Sequence, residues 1–353
     1  MGVFIFLFIA LIFIQVISQA QIGKKKRLFQ TISCFILLWL IQGLRHADIG
    51  IDSATSYRPY FEHLSVNWNS IFDLSDVFAN YEIGYIELNK LFKFFISEDT
   101  QLFILFCSFL CIAPIAFIIY KYSTNIVFSF WIFSSLQIYL FGFSGIRQAI
   151  AIGFCCLSFH YIIKQRLLIF VALVLLASTI HTSAILFLPA YWLYHYIKLT
   201  AKKTFLALLA IIMLTFSFKT IAVTVVSILF GGEKYLSALS ENTIPSYNLL
   251  IIFILVLFST FLSKDENLVK LRSFVLMAVA FQTLGILSNH ATRIGYYYYV
   301  YFMLVIPHII DFRFTKIERK FITYAVCLLL CVFFFYVNGN GYLEVIPYKF
   351  FWE

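Results

Sequence analysis

The chain has 353 residues, a formal net charge of +9 and a mean hydropathy of +0.92. Apolar residues make up 62% and charged residues 12%, against roughly half and a quarter in soluble domains. No soluble fold of this size hides that much apolar surface. A cytosolic enzyme, a secreted domain, a nucleic-acid-binding module and a disordered chain are therefore excluded, and a polytopic membrane protein is left.

A membrane-spanning helix needs roughly 20 mostly apolar residues. Twelve runs qualify as candidates: 2–20, 28–44, 101–120, 125–141, 148–163, 166–180, 182–197, 203–230, 248–263, 270–288, 294–312 and 320–337. The first run carries no positive charge ahead of it. The basic cluster Lys24-Lys25-Lys26-Arg27 follows directly, so the run is expected to stay as an uncleaved span with that cluster in the cytoplasm. Alternation from this anchor places 17 of the 26 basic residues inside and 13 of the 17 acidic residues outside, as the positive-inside rule expects. Both termini then lie outside. The seven cysteines (Cys34, Cys107, Cys111, Cys155, Cys156, Cys327, Cys331) all sit in apolar runs without a C-x-x-C pair. They read as small apolar side chains rather than as metal ligands or disulfides.

After span two, residues 45–100 form the longest polar segment, expected to be a lid of short helices on the outer face. It opens with Arg45-His46-Ala47-Asp48-Ile49-Gly50-Ile51-Asp52 and contains Glu82-Ile83-Gly84-Tyr85. Arg45 reads equally well as a snorkelling helix-end arginine or as a cation for phosphate. Glu82 is either a surface charge or a carboxylate of a site. Gly145-Ile146-Arg147-Gln148 opens span five. An arginine in the first turn of an apolar helix adds its charge to the positive end of the helix dipole, and the pair suits an anion. Ser178-Thr179-Ile180-His181-Thr182-Ser183-Ala184 is a tight turn at the outer boundary. His181 either caps a helix there or acts as a general base. A second outer loop covers 231–247. Asn289-His290-Ala291-Thr292-Arg293 then leads into Tyr296-Tyr297-Tyr298-Tyr299, most of which read as an interfacial aromatic belt. Three arginines on three spans at one membrane face point to a shared anionic ligand, and a diphosphate needs several donors.

These residues also carry a resemblance. Arg45 followed by Gly50-x-Asp52 and Tyr57, Glu82-x-Gly84-Tyr85, Gly145-x-Arg147-Gln148-x-x-Ala151, Ser178-x-x-His181-x-Ser183-Ala184, and Arg293 before the tyrosines occur in an order that resembles the EpsG-type, Wzy-like family of bacterial polysaccharide polymerases. The resemblance implies an all-α polytopic membrane fold, one integral-membrane domain over 1–353, with about 12 transmembrane helices, an extracytoplasmic helical lid and a GT-C-like arrangement. It implies a glycosyltransferase of the bacterial plasma (inner) membrane that serves O-antigen, capsule or exopolysaccharide assembly. One undecaprenyl-diphosphate-linked oligosaccharide is the donor, a sugar hydroxyl on a second is the acceptor, and undecaprenyl diphosphate leaves. Arg147 and Arg293, with Arg45, would neutralise the diphosphate. His181, Asp48 or Asp52 would act on the acceptor hydroxyl. Glu82, Tyr85, His290, Tyr296 and Tyr297 are candidate sugar contacts. No cofactor and no metal are expected, since no D-x-D pair is suitably placed. Lipid-linked donor and acceptor and membrane lipid are the expected partners, with a chain-length regulator protein left open.

Three rival readings remain. A flippase for the same lipid-linked units suits twelve spans, but it should show repeats and midplane polar groups, and neither is found. A polysaccharide acyltransferase would want a His–Asp pair near a cytoplasmic acyl donor; His160 and His195 have no acid within a few residues, and His308 has only Asp311 three positions on. An O-antigen ligase-like enzyme differs only in its acceptor.

Overall fold

The structure, a computed structural model, describes residues 1–67, 81–230, 247–262, 264–285, 289–339 and 342–353. The described residues are all-helical, with 82% of them in helices and no strand among them; they include one isolated bridge, Arg45 to Phe350. Five described helices are long and apolar enough to cross a membrane: Gly2–Ala20, Thr100–Tyr122, Ile146–Ile163, Glu266–Leu284 and Lys316–Asn338. A bent pair, Ile126–Ser135 and Ile138–Ser144, makes a sixth. The protein is thus a polytopic membrane protein, with fewer clear crossings than the twelve expected. The expected span at 182–197 is not one helix. It divides into a 3-10 turn, Thr182–Phe187, and a seven-residue helix, Ala190–Tyr196, because Pro189 lacks the N–H that would continue the first segment. The interval 294–312 is likewise divided, into Asn289–Tyr299 and Phe302–Arg313.

The chain forms two compact units, 1–188 with 314–353, and 189–313. In the first unit the helices are α1 (Gly2–Ile17), α2 (Gly23–Gly43), α3 (Arg58–His63), α4 (Ile83–Phe95), α5 (Thr100–Tyr122), α6 (Ile126–Ser135), α7 (Ile138–Ser144), α8 (Ile146–Ile163) and α9 (Leu167–Ile180). The last helix of the chain, Lys316–Asn338, also belongs here. Helix α8 is the hub and packs on α5, α7 and α9. Pro114 in α5 removes the donor that Leu110 would otherwise meet within the helix. Gly153 of α8 approaches that carbonyl so closely that a Cβ there would lie 2.8 Å from the Leu110 oxygen. Glycine is what lets the two backbones meet. Helices α6 and α7 bend by 53° at Gln137, whose φ of 68° is left-handed. The Ser134 and Ser135 hydroxyls donate to the Trp131 carbonyl just before the break. Every residue of α6 and α7 is buried, which is the condition for tolerating irregular backbone at membrane depth.

The second unit holds α10 (Ala190–Tyr196), α11 (Ala201–Phe230), α12 (Tyr247–Ser259), α13 (Glu266–Leu284), α14 (Asn289–Tyr299) and α15 (Phe302–Arg313); the first unit's last helix is α16 (Lys316–Asn338). Arg272 braces this unit from inside. It donates to the Thr260 and Leu199 carbonyls and lies 3.8 Å from the centroid of the Phe261 ring. The outer loop expected at 231–247 lies outside the described residues up to 246, and so does the lid from 68 to 80.

Gly153→Leu forces a side chain against the α5 backbone and is expected to destabilise the protein by about 1–3 kcal/mol, the usual range for overpacking. Gly2→Ala, at a position with nothing within 4 Å, is expected to be neutral. Thermal melting of the two variants in detergent checks the contrast.

Candidate functional site

Within the first unit, three helix ends meet at one carboxylate. Glu82 stands at the N-terminus of α4, yet its side chain does not cap its own helix. It reaches instead to the Arg147 guanidinium, which donates to Oε2. On the other side, Oε1 accepts from the Thr182 N–H at 3.1 Å and the Thr182 hydroxyl at 3.3 Å. The His181 Nδ1 lies 3.3 Å from the same oxygen. Arg147 enters from the first turn of α8, just past the Gly145 corner, where a Cβ would lie 2.2 Å from the Phe141 ring. His181 and Thr182 come from the turn after α9. The approach of α4 to α9 depends on Gly84, where a Cβ would sit 2.7 Å from the Thr179 carbonyl oxygen. The Glu-x-Gly pair is thereby explained: the glycine brings α4 against α9, and the glutamate two residues earlier spans the gap between α9 and α8.

Aromatic rings fix the guanidinium from below. Arg147 lies 4.6 Å from the Tyr81 ring centroid, 5.6 Å from Tyr57 and 6.0 Å from Tyr85, within cation–π range. Its Nε donates to the Tyr57 hydroxyl at 3.4 Å. Tyr85 is fully buried among the Tyr57, Tyr60 and Tyr81 rings, so it supports the site from beneath. Burial pushes the Tyr57 and Tyr81 hydroxyls above their ordinary value while Arg147 opposes the shift. Burial would also push the Glu82 carboxyl up. The Thr182 N–H, the Arg147 charge and His181 outweigh it and hold the carboxyl below its ordinary value. The His181 Nδ1 can donate to Glu82 when it carries a proton; without one it can accept from Ser183, whose hydroxyl is 3.4 Å away.

The other sequence candidates are placed differently. Arg45 is 1% exposed. Its guanidinium donates to the Gln42 and Phe143 carbonyls and to the Ser108 hydroxyl, and it lies over the Phe143 ring. It joins helix ends instead of facing an anion. The C-terminal tail closes over it, with the His46 N–H donating to the Lys349 carbonyl and the Tyr348 hydroxyl to the Ile41 carbonyl. Asp48 is exposed and pairs with Arg58. Asp52 is half-buried; its N–H donates to the Ser144 hydroxyl, and its charge acts on both Tyr57 and Tyr81.

In the second unit, Arg293 is half-buried on α14. Tyr296 and Tyr297 are 2% and 1% exposed. The tyrosine run packs against Phe253, Phe274 and Phe281, so it is core and not an interfacial belt. The side chain of His290 lies outside the described residues. His308 pairs with a distant acid rather than with Asp311 beside it in the sequence. Its Nε2 lies 2.7 Å from the Asp265 carboxylate, 43 positions away in the chain. Asp265 also caps α13, so the pair ties α15 to the start of that helix. Thr182 and Tyr81 carry no sequence signal of their own, although each adjoins a motif residue. Among the described residues no group of three or more His, Cys, Asp or Glu side chains could hold a metal ion.

The EpsG family matches residues 27–350, and the chain belongs to that family. This makes it a polysaccharide polymerase-like membrane protein. Comparison with curated proteins and with solved structures returns no match.

Because the folded-state value of Glu82 is depressed, its contribution to stability is present above the ordinary carboxylate value of about 4.3. That contribution fades as pH falls through the lowered value. The melting temperature of the wild type should therefore exceed that of Glu82→Gln at neutral pH, and the gap should close on acidification. Parallel melts from pH 7 downward measure it.

Proposed function

We propose that this EpsG-family chain is a glycosyltransferase that polymerises undecaprenyl-diphosphate-linked oligosaccharide repeat units on the extracytoplasmic face of the plasma membrane, through about twelve crossings and without a metal. The observation that carries the reading is the Glu82–Arg147–His181 cluster: a cation, a carboxylate and an imidazole held together at three helix ends. In the proposed reaction the acceptor hydroxyl oxygen attacks the anomeric carbon of the donor. The bond from that carbon to the diphosphate oxygen breaks, and undecaprenyl diphosphate leaves with the electron pair. The hydroxyl proton passes to a base.

Arg147 is the proposed diphosphate ligand. It is half-buried and pre-oriented by tyrosines, so its charge acts with little solvent screening and little reorganisation. Glu82 occupies the guanidinium when no substrate is bound. An arriving diphosphate competes for Arg147, and the carboxylate it displaces turns toward His181. The Glu82 Oε1 already lies 3.3 Å from the His181 Nδ1, where it can hold that nitrogen's proton and leave Nε2 free to accept the acceptor's proton. Asp52 is the alternative base, since its charge reaches the same tyrosines. Arg45 is left out of the diphosphate clamp because its donors are directed to carbonyls, and Asp48 is left out as base because Arg58 holds it.

One observation favours transport of the lipid-linked unit as a second reading. A broken helix such as α6–α7 is a feature of transporters. Here the break is filled by buried side chains.

In cells, Arg147→Ala is expected to lower polymer formation by about 10²-fold or more, the scale for losing one transition-state charge donor. Protein abundance should be unchanged and unpolymerised lipid-linked units should accumulate outside. Polymer gels and lipid extracts read both quantities. Long polymer from this variant would overturn the role of Arg147, and units trapped on the inner side would favour transport.

A further inference from the structure

A second site lies along the flank of the first unit. Helices α1, α6 and α16 enclose a groove of about 750 Å³, inside the span of about 300–1,000 Å³ typical of small-molecule sites. Its polarity is sorted along its length. One part is apolar, with Ile5, Ile9 and Ile12 on one wall and Leu328 and Phe335 on the other. The floor is Trp131, whose indole N–H donates to the Cys327 carbonyl at 3.0 Å and makes no polar demand on an occupant. The other part is polar and basic, with Gln15, Gln19, Arg319 and Lys320. From Ile5 to Gln19 the groove follows the helix for roughly 21 Å at about 1.5 Å per residue. One leaflet of the hydrocarbon core is about 15 Å deep, half of the full thickness. The groove thus runs along most of the Gly2–Ala20 span, is longer than one leaflet, and has its basic part at the end of that span.

Its charge is one-sided. No lining residue is acidic. The nearest acid on α16, Glu318, is engaged in a capping box with the Thr315 N–H and hydroxyl. Arg319 donates to the Phe314 carbonyl and stands beside Lys320. Lys320 is exposed and makes no hydrogen bond or ion pair among the described residues. The basic run Lys24–Arg27 follows α1 at the same end. The Arg147 cluster belongs to other helices: the opposite end of α1 is marked by Phe4, whose ring packs on Phe143 and Tyr348 beside Arg45.

We propose that this groove binds an anionic glycerophospholipid, with an acyl chain against the isoleucines of α1 and the phosphate on Arg319 and Lys320. An apolar groove alone would accept any acyl chain. Two adjacent cations at headgroup depth select the negatively charged one, as basic pockets between membrane helices do.

The test uses the full-length protein in detergent with equimolar phosphatidylglycerol and phosphatidylcholine, read by native mass spectrometry. The wild type should retain phosphatidylglycerol over phosphatidylcholine by about thirtyfold. Lys320→Gln changes an exposed side chain and leaves folding intact; it should cut the preference about fivefold. Arg319→Gln with Lys320→Gln should abolish it, and Ile9→Trp, which fills the groove, should lower retention of both lipids. Equal retention of the two lipids by the wild type would overturn the proposal. So would a preference that survives loss of both cations, or displacement of phosphatidylglycerol by equimolar polyprenyl phosphate.

Discussion

The first unit is organised around one carboxylate that serves two sides at once. Glu82 accepts from Arg147 on α8 and from Thr182 after α9 while itself standing at the head of α4. A charge at membrane depth is expensive unless it is paired and hydrogen-bonded. The pairing explains how Arg147 can sit in the first turn of an apolar helix. It also explains the glycines nearby. Gly84 and Gly145 remove the side chains that would keep α4 from α9 and the α7 end from its corner. Without those close approaches the carboxylate would not reach both partners.

The same arrangement suits the anion binding proposed for the site. A guanidinium pinned by three tyrosines cannot move far, whereas a carboxylate on a helix terminus can. In the proposed function an anionic ligand exchanges with Glu82 instead of drawing Arg147 out of place. The carboxylate would then keep Thr182 and His181 as its neighbours, so one residue links the proposed anion site to the imidazole.

Much of this was legible in the sequence because hydropathy is a local property. The apolar runs at 101–120, 148–163 and 320–337 each became one long helix. Arg147 at a helix start and His181 in a tight turn were also readable, since glycine and the shortness of the connection define those corners. What escaped was non-local or fine-grained. Glu82 and Arg147 are 65 residues apart, and nothing near Glu82 tells a surface charge from a buried pair. Arg45 looks the same in sequence whether it faces a ligand or the carbonyls of neighbouring helix ends. The break at Gln137 carries neither glycine nor proline, so no local signal marks the bend. The tyrosine run suggested a water–lipid boundary, but Phe253, Phe274 and Phe281 surround it. The His308–Asp265 pair shows the same limit, since proximity along the chain is a poor guide to proximity in a bundle.

The central claim is that the cluster around Glu82 and Arg147 joins sugars rather than only holding helices together. The most direct measurement is a reaction with purified protein, defined lipid-linked repeat units and EDTA, resolved by product length. The account predicts a ladder of lengthening products from the wild type and single units alone from Arg147→Ala of equal thermal stability. A wild type that makes no ladder, or an Arg147→Ala protein that makes the same one, would contradict it.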